Sequence, residues 1–460
     1  MLRNQLKILA LLGTIFFLNS CLGDGDVTEI SSDPSFVSLT FSANDSVPNL
    51  EDAVFTLEYD PLLNDSVIVN LDSLPYQTRI DSVYATFTFK STYAAYLVYE
   101  NDSTALISGS VAFDFTKIKA IINIASDGVA QRKYPIKVNV HQVEPELYIW
   151  QKVSDAAHSL NVQHQKAVYF NDRLYLFVND GQQNYLFTST DGTSWTQNDV
   201  SGLPTNATFE DITVFNNQLY VTCGNSNIFS SGNGLTWTRQ TYSEYEFTSL
   251  IFVLNDRLWA VSHSLTDGKL RFASSVDGTE WLIYNEIPEN FPVRGFASVV
   301  FNTKVNKQNG LVLTGFSSDG TALKTSWSTE DGIYWVDFST ENASLDSIGT
   351  GASLITYDDK LFLFGQDNKP IPGSYFRQSI DHGFSWQVPD SDYNYLPEEM
   401  GIRHYSSVVV YRPRTYSSTD SKQEIESSNW IFIIGGKNAY DEYLTDVWKG
   451  KVNRKNFLRQ

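Results

Sequence analysis

Cysteine is nearly missing from this chain of 460 residues: there are two, Cys21 and Cys223, and methionine is as scarce. Two thiols allow at most one bridge, which excludes a disulfide-stapled scaffold and leaves stability to packed cores. Positive charge is also short. Against 53 Asp and Glu stand 33 Lys and Arg, a net charge of −20. Such a surface repels phosphates, so no nucleic-acid partner is expected. After the first 20 residues there is no apolar run of the length a membrane-spanning helix needs. The six His residues (141, 158, 164, 263, 382 and 404) form no H-x-H, H-E-x-x-H or Cys/His cluster, and no metal site or cofactor is expected. The D-x-D-x-D-G calcium spacing, the G-x-S-x-G elbow and a phosphate-cradling Gly-rich loop are missing too. Aromatic residues, by contrast, are plentiful: 25 Tyr, 29 Phe and 10 Trp, within 42% apolar content. That composition suits strands around well-filled cores.

Residues 1–20 have the layout of a signal peptide. Arg3 and Lys7 lead, "ILALLGTIFFL" follows, and "LNSC" ends at Cys21. "LNSC" resembles a bacterial lipobox, which implies that the Cys21 thiol is diacylated and becomes the new N-terminus. An ordinary secretory signal with an incidental Cys is the alternative. Residues 21–34, "CLGDGDVTEISSDP", read as an acidic flexible tether. They resemble the stretch behind the lipidated Cys of surface-exposed Bacteroidetes lipoproteins. The resemblance implies an outer-membrane lipoprotein at the cell surface that meets the membrane through its lipid alone. Cys223, in "LYVTCG", has a strand-like apolar setting and reads as a buried structural thiol.

Residues 35–144 carry short segments of period-two alternation, among them "FVSLTFS", "DSVIVNL", "SVYATFTF" and "YPIKVNV", broken by "DSLPYQT" and "ASDGVAQ". The pattern predicts an antiparallel β-sandwich. "FDFTKIKAIINIASDGVAQRKYPIKVNV" resembles the closing half of Ig-like modules of Bacteroidetes lipoproteins, which implies a spacer.

Residues 145–455 repeat. "FNDRLYLFV" (170–178) returns as "FNNQLYVTC" (215–223), "LNDRLWAVS" (254–262) and "YDDKLFLFG" (357–365). Each is followed by a second signature: "STDGTSW", "SGNGLTW", "SVDGTEW", "STEDGIYW" and "SIDHGFSW". The signature Trp residues recur every 42 to 54 positions, the size of a four-stranded propeller blade. The signatures resemble the Asp-box (BNR) turn, S-x-D-x-G-x-x-W, of sialidases and other propellers. On that reading Asp191, Gly192, Trp195, Asn233, Trp237, Asp277, Trp281, Asp331, Trp335, Asp381, Gly383 and Trp386 are structural. They would sit on hairpins between third and outer strands, with each Trp covering a gap between blades. The last unit, with its "GG" and "DVW", resembles a kelch blade and runs out of chain before an outer strand. Trp150 lies 21 residues before Asn171, the spacing that separates Trp195 from Asn216 and Trp281 from Asn302. Residues 146–153 therefore supply the missing outer strand. The expectation is an all-β chain whose Ig-like sandwich precedes a six-bladed propeller closed by that strand, with five or seven blades as alternatives.

Propeller ligands usually enter at the channel mouth, on the face opposite such turns. Arg294, Arg403, His404 and Tyr245 fall there and are the candidate ligand contacts. A sialidase reading fails, because no "RIP" motif and no Arg cluster is present. Glu244, Glu246, Glu289, Glu398 and Glu399 could serve glycosidase chemistry, but nothing singles out a pair at the separation it requires. No catalytic residue is nominated. A non-catalytic module for a glycan or a protein is the leading reading, and a glycan hydrolase or lyase the rival. The whole plan resembles propeller lipoproteins of Bacteroidetes.

Overall fold

The computed structural model describes residues 30–453, apart from 45, 46, 48, 49, 110, 143, 145, 224–226, 304–307, 318, 320, 322–325, 339–347, 367–375 and 413–428. The signal peptide, Cys21 and the first part of the tether lie outside the described residues. Those described are strands and loops with one 3-10 turn, Glu398–Met400. The chain divides after Glu144 into two compact units.

The first unit has two sheets. Phe36–Phe41, Val83–Phe89 and Ala112–Phe113 form one; Phe55–Asp60, Asp65–Asn70, Gln131–Lys137, Ile118–Ile124, Ala94–Tyr99 and Thr104–Leu106, in that spatial order, form the other. Leu39 and Phe41 from the small sheet join Ile68, Leu97, Ile121 and Tyr134 from the large one in a single apolar cluster. One departure from an all-antiparallel sandwich is clear: Asp65–Asn70 pairs with Gln131–Lys137 in parallel. A side-chain clamp explains the local register. Buried Asn70 accepts from the Asn139 amide at 2.6 Å and donates to the Asn139 carbonyl at 2.9 Å, while Asn139 Nδ2 donates back to the Asn70 carbonyl at 2.9 Å. The end of the acidic stretch is not free, since Ser91 Oγ donates to the carbonyls of Ser31 and Asp33.

The second unit holds six sheets, named here I to VI in chain order of their first strands. Those first strands are His164–Phe170, Thr213–Phe215, Tyr245–Leu254, Arg294–Asn302, Ile348–Tyr357 and Ser407–Tyr411. Each first strand packs against the next, and that of sheet VI packs against that of sheet I. In sheets I to IV three more strands follow outward in chain order. Sheet VI has Trp430–Lys437 and Tyr443–Val452, and its outermost strand is Tyr148–Ser154, which pairs Trp150 with Gly450. In sheet V the fourth strand shrinks to a bridge between Gln378 and Gln387. Pro389, two residues on, has no N–H with which to extend the ladder.

Hairpins between first and second strands turn on Asn171–Asp172, Asn216–Asn217, Asn255–Asp256 and Asp358–Asp359, all at φ between 45° and 60°. Two positive φ angles in succession define the type I′ turn that matches strand twist, and Asn and Asp tolerate them. The Ser-Asp-Gly-Trp turns lie between third and fourth strands, hence at the same end of the sheets. In the first, Asp191 Oδ1 accepts from the amides of Thr193 and Ser194 at 2.8 and 3.1 Å, and Ser189 Oγ accepts from the Gly192 amide at 2.9 Å. Asn233 does the same in sheet II. In sheet IV the hydroxyl comes from Thr329, not Ser328. "SIDHGFSW" fits its extra residue by placing His382 at φ 61° and stacking its ring on Phe301 at 4.5 Å.

These turns also join sheets, which the repeat pattern does not reveal. Each turn Gly presses on an aromatic or aliphatic side chain of the preceding sheet. A methyl on Gly332 would lie 2.5 Å from the Trp259 indole, and one on Gly192 would lie 2.4 Å from Phe432 of sheet VI. Sheet I therefore meets sheet VI through the joint that sheet IV uses on sheet III. The Trp residues fill the same gaps: Trp237 packs edge-on to Phe177 of sheet I, and Trp335 stacks with Phe272 of sheet III. Between V and VI, Trp150 takes that place beside Phe364. Cys223 is buried, and burial pushes its thiol pKa upward, as suits an inert packing residue.

Candidate functional site

All six first strands line one central cavity of about 420 Å³, with segments Lys166–Tyr169, Glu210–Thr213, Leu250–Val253, Phe296–Val300, Ala352–Leu354 and Val408–Val410. Most of its lining residues are apolar, Val168, Ile251, Val299 and Val409 among them. Continuous with it, at the N-terminal ends of the first strands, is a second cavity of about 290 Å³. This end is opposite to the Ser-Asp-Gly-Trp turns. Its walls come from sheets I, II, IV, V and VI and include Lys166, Glu210, Arg294, Phe316 and Tyr405.

The strands open this mouth by breaking register. The first strand of sheet IV is bulged between Arg294 and Ala297, and that of sheet V between Ile348 and Ser353. Bulges bend a strand and re-aim its side chains. Gly295 and Gly351 occupy the bulges at φ 57° and 72°, and an aromatic ring lies against each: a methyl would be 2.7 Å from the Phe316 ring and 2.4 Å from that of Tyr405. Glycine is needed twice over at both positions, for backbone angle and for close approach.

The electrostatics are unusual for so acidic a chain. Lys166 and Arg294 contribute two positive charges to the lining and Glu210 one negative. Among the described residues, neither Lys166 nor Arg294 has a side-chain hydrogen bond or ion pair within the protein. Burial pulls the Lys166 pKa below the usual lysine range, and the Glu210 charge only partly opposes this. Behind Glu210, the Asp211 carboxylate accepts from the Thr222 amide at 3.1 Å, the Thr222 hydroxyl and the Leu250 amide at 2.8 Å, tying sheet II to sheet III. Burial pushes its pKa up to about 6 against the pull of those bonds. With both oxygens engaged, Asp211 is a strut.

Of the four residues expected at the mouth, only Arg294 lines the cavity. Arg403 is 3% exposed, and its guanidinium is spent on the carbonyls of Met400 and Gly435 and on a two-pronged pair with Asp446 at 2.9 and 3.2 Å. It braces sheet VI and offers a ligand nothing. His404 lies 3.4 Å from Asp441, which Lys437 also contacts at 3.1 Å. Tyr245 starts the first strand of sheet III opposite Ser264, away from the cavity. The sequence reading missed Lys166, Glu210 and Tyr405. For Lys166 there was a signal: in "QKAVYF" it shares the period-two register of Val168, both on the channel side.

The second unit is thus a β-propeller domain, a sheet architecture repeated around a central channel. The chain belongs to a family recognised at two places: residues 144–460 match the DUF6242 beta propeller domain, and residues 34–138 match the DUF6242 N-terminal domain, a domain of unknown function. No curated protein matches the chain. Solved structures resemble it at low identity. A WD40 domain from Toxoplasma gondii coronin has TM-score 0.36 and 10% identity over 68% of this chain and 89% of its own. A thermostable family-43 glycoside hydrolase has TM-score 0.32 and 12% identity over 67% and 94%. An endo-arabinase from Bacteroides thetaiotaomicron VPI-5482 has TM-score 0.30 and 12% identity over 50% and 94%.

Proposed function

We propose that this is a lipid-anchored protein of the cell envelope whose propeller is a non-catalytic binding module, taking a glycan or a protein at the channel mouth. The observation that carries the reading is the 290 Å³ cavity, walled by five sheets and bearing two cations, enclosed Lys166 and exposed Arg294, that have no side-chain hydrogen bond or ion pair among the described residues. Pockets built that way, mostly preformed and with few convergent polar groups, are where ligands are held. Catalysis is disfavoured because the one carboxyl at the channel with a pKa raised toward neutrality, Asp211, has both oxygens committed to the backbone and hydroxyl of its neighbours.

The finer architecture belongs to this proposal. The six sheets are read as six blades of a closed ring, on the strength of the cyclic packing of first strands and the Tyr148–Ser154 strand at the edge of sheet VI. The signatures are read as Asp-boxes because their Asp, Asn and hydroxyl groups cap their own turns. The last blade is kelch-like, with Trp448 donating to Asp446 at 2.7 Å. The first unit is an Ig-like spacer, a reading supported by its two sheets around one core. Cys21 in "LNSC" is the lipid attachment point, and surface exposure at the outer membrane follows from the acidic residues behind it.

A glycan array and a protein pull-down with the mature protein, both scored for binding and for turnover, test the reading. Binding without turnover is the expected result; hydrolysis or elimination of any glycan would replace it with the enzyme. Cys21→Ala is expected to move the protein out of the membrane fraction, and unchanged fractionation would remove the lipid anchor.

A further inference from the structure

We propose that the mouth cavity holds a single hexuronate residue, its carboxylate between Lys166 and Arg294 and its ring beside Phe316 and Tyr405. The proposal deepens the binding reading and rests on it.

Charge is the first argument. Lys166 and Arg294 line one cavity with no partner in the protein among the described residues, and Glu210 adds the single opposing charge. Lys166 is enclosed with Glu210 as the one opposing charge in the lining, and Arg294 reaches the cavity from the exposed rim, so two cations face one carboxylate and an anionic ligand would supply the second negative charge. The lining carries a net charge of one positive, which suits a monoanion better than a phosphate dianion. A neutral sugar would leave Lys166 with Glu210 alone. The chain as a whole, at −20, repels anions at long range, so this positive charge acts locally.

Shape is the second. A cavity of about 290 Å³ lies at the low end of ligand pockets, roughly 300–1,000 Å³, which is room for one pyranose ring at the mouth. Two aromatic rings, Phe316 and Tyr405, stand in the wall, each lying against a glycine, Gly295 and Gly351, within a bulge. Rigid flat apolar surfaces match the C–H face of a pyranose better than a peptide end, whose side chain varies in shape. The Glu210 carboxylate accepts hydrogen bonds only, and ring hydroxyls donate them.

The test is calorimetric titration of the mature protein at pH 7 with glucuronate, galacturonate, glucose and N-acetylglycine. One or both uronates are expected to bind at least tenfold more tightly than glucose and N-acetylglycine. Lys166→Met and Arg294→Gln are each expected to weaken uronate binding at least tenfold, with Lys166→Arg restoring part of it, and thermal melts verify that the variants fold. Equal affinity for glucuronate and glucose overturns the proposal, and so does N-acetylglycine binding as tightly as the uronates, which would point to a peptide terminus. If uronates do not bind while the array or the pull-down finds another ligand, the hexuronate proposal falls and the binding module stands. If no probe binds in any of these experiments, both fall.

Discussion

The two ends of the propeller sheets treat their polar groups in opposite ways. At the turn end, Ser, Asp and Asn side chains satisfy the amides of their own turns, and Asn216 and Asn255 donate onward to the carbonyls of Val276 and Glu330 in the following sheet. Sheets II and III thus close their own turns and then reach the next sheet. At the mouth, two strands leave register, two glycines admit aromatic rings, and Lys166 and Arg294 have no side-chain hydrogen bond or ion pair among the described residues. Repetition with satisfied hydrogen bonding is how a scaffold is held; local irregularity with unanswered charge is how a site is held open.

Glycine substitution tests this contrast most strongly. Gly332→Ala, at φ 79°, would bring a methyl to 2.5 Å from the Trp259 indole, which is buried. A loss of roughly 3 kcal/mol in urea unfolding is expected from the combined backbone strain and overpacking. Gly295→Ala at the mouth makes a similar clash with Phe316, but that ring borders a cavity and can shift into it. There the expected loss is about 1 kcal/mol, with weakened ligand binding. Equal losses at both positions would break the comparison.

Asp211 gives the next effect, with the opposite pH sense to the turn carboxylates. Its folded-state pKa, about 6, lies above its unfolded value, so the folded state binds the proton more tightly. Its contribution is present below pH 4 and is lost as pH rises toward 6, a change of roughly 2–3 kcal/mol. Asp191 is held below the usual range by the Ser194 amide, so its contribution is lost only as pH falls below about 4. Buried His158 and half-buried His164, both lowered by desolvation, slope the other way within the Asp211 window. The measurement is therefore the difference between the wild type and Asp211→Asn in unfolding titrations from pH 4 to 7. A difference that does not change with pH would remove Asp211 as a titrating strut.

Within the turn end, Asp191→Ala removes the acceptor of two amides, and a cost of about 1 kcal/mol is expected, as for a lost helix cap. Asp191→Asn should cost much less, because Asn233 already fills the equivalent place with bonds of 2.9 and 3.1 Å. If the Asn variant is as damaged as the Ala variant, charge and not hydrogen-bond geometry holds these turns.

The same contrast explains what could be read from residues alone. The propeller was legible because turn chemistry recurs: Asn-Asp pairs, the Ser-Asp-Gly-Trp signature and the 21-residue offset of Trp150 all report one local geometry at several places. The mouth occurs once. Its bulges at Gly295 and Gly351 depend on which rings approach from other strands, and no local pattern encodes that. Arg403 was misplaced for the same reason. A position near the start of a strand suggested the mouth, but Asp446, 43 residues later, turned its guanidinium into a brace. The parallel pair in the first unit likewise rests on Asn70 and Asn139, far apart in sequence.

The smallest expected effect is the sharpest discriminator between the two ends. A scaffold residue stabilises the fold, so removing it costs stability; a residue kept for a ligand is retained at some cost to the free protein. Lys166 has no partner among the described residues, and its enclosure disfavours the charged form, with the folded pKa lowered by desolvation. Its charge is therefore a burden on the unliganded protein at every pH where the unfolded chain holds the proton, and that burden eases only as pH rises toward the usual lysine range. Lys166→Met keeps the length and apolar stem while removing the charge. It is expected to leave stability unchanged or raise it by about 1 kcal/mol at pH 7, measured by urea unfolding, in contrast to every turn-end substitution above. A loss of stability of the size seen for Asp191→Ala would mean that Lys166 braces the channel wall, and the mouth would then be scaffold like the turns.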